Sequence, residues 1–121
     1  MKEQREILER INWDYLIILD ACRADYFEWC NNIEGEYHRV LSNSSCTQEW
    51  LKNNEKYARE SIVFAGNPQI SLYWKEIAKC LVEVWDFGWS EEHSTVLPNT
   101  VTDIAISTAK PKSIIWYMQP H

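Results

Sequence analysis

The segment "DYLIILD" (residues 14–20) limits what this chain can fold into more than any other stretch. Tyr15 to Leu19 is a continuous apolar run closed by an aspartate at each end, and its length suits a strand rather than a core helix. A run that is apolar toward both faces is what a central strand of a parallel sheet needs, with cover on each side. "SIVFAGNP" and Ser113 to Met118 read as further buried strands, the first ending in a Gly-Asn-Pro breaker.

The segments between these runs are helical or turn-like. Residues 2–10 form a short polar helix. "ADYFEWCNNI" is a helix with Tyr26, Phe27 and Cys30 toward the sheet. "YHRVLS" is a second short strand, followed by the turn "SNSS" and the helix "CTQEWLKNN", where Ser45 and Gln48 match a capping box. "PQISLYWKEI" is helical, "KCLVEVWD" is a fourth strand and "FGWSEEHS" an irregular loop. Pro98 opens a helix over Asn99–Thr108 at its first turn. Strands alternating with helices predict one α/β domain over residues 1–121, a three-layer αβα arrangement around a mostly parallel sheet.

In such folds ligands bind beyond the carboxyl ends of the strands. Asp20, Ser42 to Thr47, Asn67, Asp86 and His121 each follow a predicted strand and so share one rim. Asp20 emerges directly from the apolar run, where a carboxylate can serve as a metal ligand or as a helix cap. Thr47 lies in the first turn of a helix, where a hydroxyl is a candidate nucleophile and a serine-rich cap is the plainer alternative. Cys46 competes for the nucleophile's role and reads better as a packed thiol. Arg23 is placed to hold an anionic substrate group or simply to be solvated, and His121 to meet a metal or a substrate oxyanion. His38 and His93 have no evident partner.

Bulk properties narrow the function. The formal net charge of −6 argues against a general nucleic-acid binder, which needs clustered Lys and Arg to neutralise phosphates. The N-terminal "MKEQREILERI" is charged and helical rather than a signal peptide, and no apolar run is long enough for a membrane span. The 4 cysteines form no C-x-x-C pair and read as reduced thiols of a cytoplasmic protein. With only 3 glycines and no glycine-rich loop after the first strand, a flavodoxin-like cofactor domain is disfavoured.

Three stretches in order, "DYLIILDACRADYFE", "SNSSCTQEWL" and "IIWYMQPH", resemble the N-terminal motifs of the alkaline-phosphatase/sulfatase superfamily over residues 14–121. The resemblance implies an alkaline-phosphatase-like fold, Asp20 as a metal ligand, Thr47 as nucleophile and metal contact, and His121 beside the transferred group. It implies hydrolysis or transfer of a phosphate or sulfate ester through a covalent intermediate, on a small anionic ester substrate. The cofactors it implies are divalent ions, zinc first, with magnesium, manganese or calcium as alternatives.

This sequence departs from the family pattern. Ala21 stands where sulfatases carry a second aspartate, and the C-x-P-S-R pattern is absent, which favours a phosphoesterase over a true sulfatase. No Asp-His-Gly motif follows Pro120-His121. The chain therefore reads as the front part of a larger hydrolase, apparently truncated, which binds metals poorly and is inactive by itself. The competing expectation is a non-catalytic binding or interaction domain that keeps the fold. An exposed apolar surface would mark it, to which Trp116 and Tyr117 contribute, covered by self-association or by a missing C-terminal half.

Overall fold

A computed structural model describes residues 2–42 and 44–119. In chain order the elements are α1 (Gln4–Arg10), β1 (Tyr15–Leu19), α2 (Ala24–Cys30), α3 (Thr47–Asn53), α4 (Glu55–Arg59), β2 (Ile62–Ala65), α5 (Pro68–Trp74), β3 (Cys80–Val82), α6 (Val84–Phe87), β4 (Trp89–Ser90), β5 (Thr95–Val96), α7 (Pro98–Thr108) and β6 (Ser113–Tyr117). Four strands form one sheet in the order β1-β6-β2-β3, and every neighbouring pair is parallel. The last strand therefore lies inside the sheet, between β1 and β2. Leu19 is paired with Tyr117 and Ala65 with Trp116, so the carboxyl ends of β1 and β2 flank the end of β6.

The alternation of side chains along each strand builds two cores. On one face Val63, Ala65, Ile114 and Trp116 pack against Leu51 of α3, Tyr57 and Ala58 of α4, and Ile70 and Trp74 of α5. The rings of Trp50, Trp74 and Trp116 meet there at centroid distances of 5.3 to 6.3 Å, two of the three contacts edge-on. On the other face Phe64 and Ile115 pack against Val84 of α6, Val96 of β5, and Val101 and Ala105 of α7. Full burial of such side chains is worth roughly 1.5–3 kcal/mol each, which outweighs the modest helix propensity of these short segments.

Local chemistry sets the helix starts nearest the site. The Asn67 side chain accepts from the Gln69 N–H at 2.9 Å and Pro68 occupies the first turn, which caps α5. Pro98 likewise occupies the first turn of α7, whose N-cap Leu97 supplies no side-chain bond.

Several expectations are corrected. Residues 37–42 form no strand: Leu41 makes only an isolated parallel bridge to Glu3, just before α1, and joins neither open edge of the sheet. The fourth predicted strand stops at Val82, because Val84–Phe87 winds into a helical turn that buries Val84 on the second core. The "FGWSEEHS" loop starts an antiparallel hairpin, Trp89–Ser90 with Thr95–Val96. The Ser45–Gln48 capping box does not form; Cys46 is the N-cap of α3, and the Ser45 hydroxyl donates to Glu49 at 3.1 Å.

The face assignments of β1, α2 and β6 also change. β1 is an edge strand rather than a central one, and it buries one face only. Leu16 and Ile18 pack on the first core, whereas Tyr15, Ile17 and Leu19 are exposed, Ile17 at 59%. In α2, Tyr26 and Cys30 are exposed instead of facing the sheet, and Phe27 stacks on Tyr37 with ring centres 5.9 Å apart. Trp116 is buried in the first core and contributes nothing to an exposed surface.

Candidate functional site at the carboxyl rim of the sheet

Asp20 is the first residue beyond β1, and its backbone N–H donates to the Gln119 carbonyl at 3.0 Å, which carries the β1–β6 pairing past the strand's end. Ala21 then adopts a left-handed φ of 56°, uncommon outside glycine, and the chain turns away sharply. The carboxylate is left on the same face as Leu16 and Ile18, only 6% exposed.

A buried carboxylate needs hydrogen bonds to replace its lost water. Asp20 receives two from distant parts of the chain. The Thr47 hydroxyl, on the first residue of α3, donates to Asp20 Oδ1 at 3.3 Å. The Asn67 amide, between β2 and α5, donates to Oδ2 at 2.8 Å. The first distance is long for a hydroxyl–carboxylate bond, and nucleophile contacts are often loose without a ligand present. Asp20 and Asn67 are both buried, whereas Thr47 is half-buried and keeps a route to solvent.

The rim is braced from the other face. Gln119 Nε2 donates to Thr95 Oγ1 at 3.1 Å and to the Val96 carbonyl at 2.8 Å, which fastens the β4–β5 hairpin to the end of β6. Gly66 brings β2 into contact with β6: its N–H donates to the Trp116 carbonyl at 2.9 Å.

The structure thus brings Asp20 and Thr47 together. Arg23 makes no hydrogen bond or ion pair with either of them among the described residues. Its guanidinium is held bidentately by Asp25, at 2.6 and 3.1 Å, and lies 4.9 Å from the centre of the Tyr26 ring. That guanidinium holds the Asp25 carboxyl below its ordinary range, chiefly through the hydrogen bond. Asp86 is an exposed residue of α6. Cys46 is exposed, and all 4 cysteines are free thiols. His38 contacts Glu36 and His93 contacts Glu92, its neighbours in the chain. His121 lies outside the described residues.

Asn67 is the residue the sequence reading undervalued. The sequence places it on the rim after a Gly-Asn-Pro breaker, and the structure adds that its carbonyl oxygen caps α5. Nothing in the local sequence shows that its amide nitrogen faces a carboxylate 47 positions earlier.

As a donor set for a divalent ion, the rim presents one carboxylate, one hydroxyl and one amide. Among the described residues no three His, Cys, Asp or Glu side chains gather as a metal site. A catalytic zinc centre uses three protein ligands, so the described residues fit one arm of such a centre and not the whole. Two cavities open elsewhere: one of about 330 Å³ at the amino ends of the strands, beside Tyr57 and Lys112, and one of about 300 Å³ along β1 and α7.

Among the described residues no helix is long and apolar enough to cross a membrane. Comparison with protein-family models, with curated proteins and with solved structures returns no match.

Proposed function

We propose that this chain carries the nucleophile-bearing rim of a metal-dependent phosphate- or sulfate-ester hydrolase or transferase, with Thr47 as nucleophile. The observation that supports this best is the meeting of Thr47 and Asp20 across 27 positions at the carboxyl end of a parallel sheet. Asp20 directs the hydroxyl proton toward itself and leaves the oxygen lone pairs of Thr47 on the open side. An ester approaching from solvent would meet that oxygen, and attack would form a Thr47–phosphoryl or –sulfuryl bond as the ester bond to the leaving alkoxide breaks, the hydroxyl proton passing to Asp20 and the alkoxide taking a proton from solvent. A divalent ion, when bound, would make the hydroxyl a stronger nucleophile and screen developing charge. The chain supplies the nucleophile and one acidic donor of such a centre, and catalysis by it alone is expected to be slow at best.

The test is hydrolysis of aryl phosphate, phosphodiester and aryl sulfate esters with added zinc, magnesium, manganese or calcium, alongside mass spectrometry of the tryptic peptide bearing Thr47. The expected result is a slow, metal-dependent rate with an adduct on Thr47, both lost in Thr47→Ala. Equal rates in the two proteins, with no adduct, refute the reading.

The uncovered apolar face of β1 favours a second reading, a binding or interaction domain that keeps the fold without catalysis. Tyr15, Ile17 and Leu19 stand exposed beside Ile106 of α7, itself 79% exposed. Light scattering tests it: a strictly monomeric, compact chain with no affinity for a hydrophobic dye counts against this reading.

A further inference from the structure

We propose that Asn67 is a positioning residue that decides which oxygen of Asp20 is presented to Thr47; the catalytic meaning of this role rests on the reading of Thr47 as nucleophile. The inference comes from how completely the Asn67 amide is used. Its Oδ1 accepts from the Gln69 N–H at 2.9 Å, and its Nδ2 donates to Asp20 Oδ2 at 2.8 Å. An amide has one acceptor end and one donor end, so the cap fixes its orientation and aims the nitrogen at Asp20.

The backbone beneath it has little freedom. Gly66 is bonded to the Trp116 carbonyl, and a Cβ on Gly66 would sit 2.4 Å from that oxygen. Pro68 fixes φ on the other side. Asn67 itself is 5% exposed, so water has little access to replace its hydrogen bond.

The consequence for Asp20 is selective. With Oδ2 held by Asn67, the remaining oxygen, Oδ1, is the one that takes the Thr47 proton at 3.3 Å. No hydrogen bond joins Asn67 directly to Thr47 among the described residues, so any influence of one on the other runs through the carboxylate between them. Without the amide, the carboxylate can rotate and share either oxygen with the hydroxyl, and the nucleophile loses its fixed orientation.

The test is a double-mutant cycle on stability, which reads the coupling whether or not the chain hydrolyses anything. Asn67→Ser keeps a residue that can cap α5 but removes the amide donor. Thr47→Val removes the hydroxyl at nearly constant shape. Urea unfolding of the wild type, both single variants and the double variant gives the coupling. The expected result is non-additivity of about threefold or more in the unfolding constant, whereas sites sharing no partner add to within about twofold.

A second reading needs only Thr47→Val, whose altered side chain is half-buried. The Asn67 side-chain amide protons should shift and exchange faster in this variant than in the wild type, as observed by NMR. Additive single effects together with an unmoved Asn67 amide overturn the proposal. Coupling that persists in a chain with no Thr47 adduct keeps the positioning role and removes the catalytic reading alone.

Discussion

Substituting Gly66 by alanine tests the link between the sheet and its rim most directly. A Cβ built there lies 2.4 Å from the Trp116 carbonyl oxygen and 3.3 Å from Val101 Cγ2. Real Cβ atoms essentially never come within 3.0 Å of another heavy atom, so the shortfall is 0.6 Å (3.0 less 2.4). Backbone lies on both sides of the clash, and no flexible side chain can swing away. The shift must separate β2 from β6, and the Gly66–Trp116 hydrogen bond of 2.9 Å stretches with it.

Overpacking of this kind costs about 1–3 kcal/mol. The weakened bond adds about 1 kcal/mol. The smaller entropy of the unfolded alanine chain returns about 0.4–1 kcal/mol. The net loss is about 1–3.6 kcal/mol, which for a chain of this size lowers Tm by roughly 4–14 °C. Thermal and urea unfolding followed by far-UV circular dichroism measure it. A drop under about 4 °C refutes the reasoning: β2 and β6 would then not run at contact distance here, and the anchoring of Asn67 would lose its basis.

Three further outcomes follow from the same packing. Trp74→Phe removes the indole donor that meets the Leu51 carbonyl at 2.8 Å inside the first core, and should cost about 2–4 kcal/mol by urea unfolding; a loss under 1 kcal/mol contradicts that burial. The Lys56 ammonium, by hydrogen bond first and charge second, holds the Glu9 carboxyl below its ordinary range. Stability from this pair is therefore complete above the unfolded carboxylate range and is lost as pH falls through the lowered folded value. Thermal melts of wild type and Glu9→Gln should stand slightly apart at neutral pH and converge in acid, with high salt narrowing the gap; a gap unchanged by acid rules the pair out as its source. Ile17→Lys on the open face of β1 should leave the midpoint within about 0.5 kcal/mol while reducing dye binding and any concentration-dependent association. A large loss of stability would mean that this face is covered.

The strands at 15–19, 62–65 and 113–117 were legible because burial on a sheet demands apolar runs of that length, and the runs are unbroken. The helix from Pro98 was legible because proline at the first turn is tolerated only there. Residues 37–42 misled for the converse reason. Their β-branched and aromatic residues suit a strand, but a strand also needs a partner, and Leu41 meets Glu3 beside α1 rather than either open edge of the sheet.

For the site, the apolar run ending at Asp20 determined by itself that a carboxylate would leave the sheet at the carboxyl rim, and "CTQE" that a hydroxyl would open a helix. The sequence alone also placed Asn67 on that rim, after a Gly-Asn-Pro breaker. Only the tertiary structure decided that these three side chains meet. The insertion of β6 between β1 and β2 sets the spacing of their ends, and α3 and α5 must share one face to close the core over Trp116. It likewise decided that β1 lies at the edge with Ile17 in the open, because an apolar run specifies a wish for burial, while the number of neighbours it finds is set by strand order.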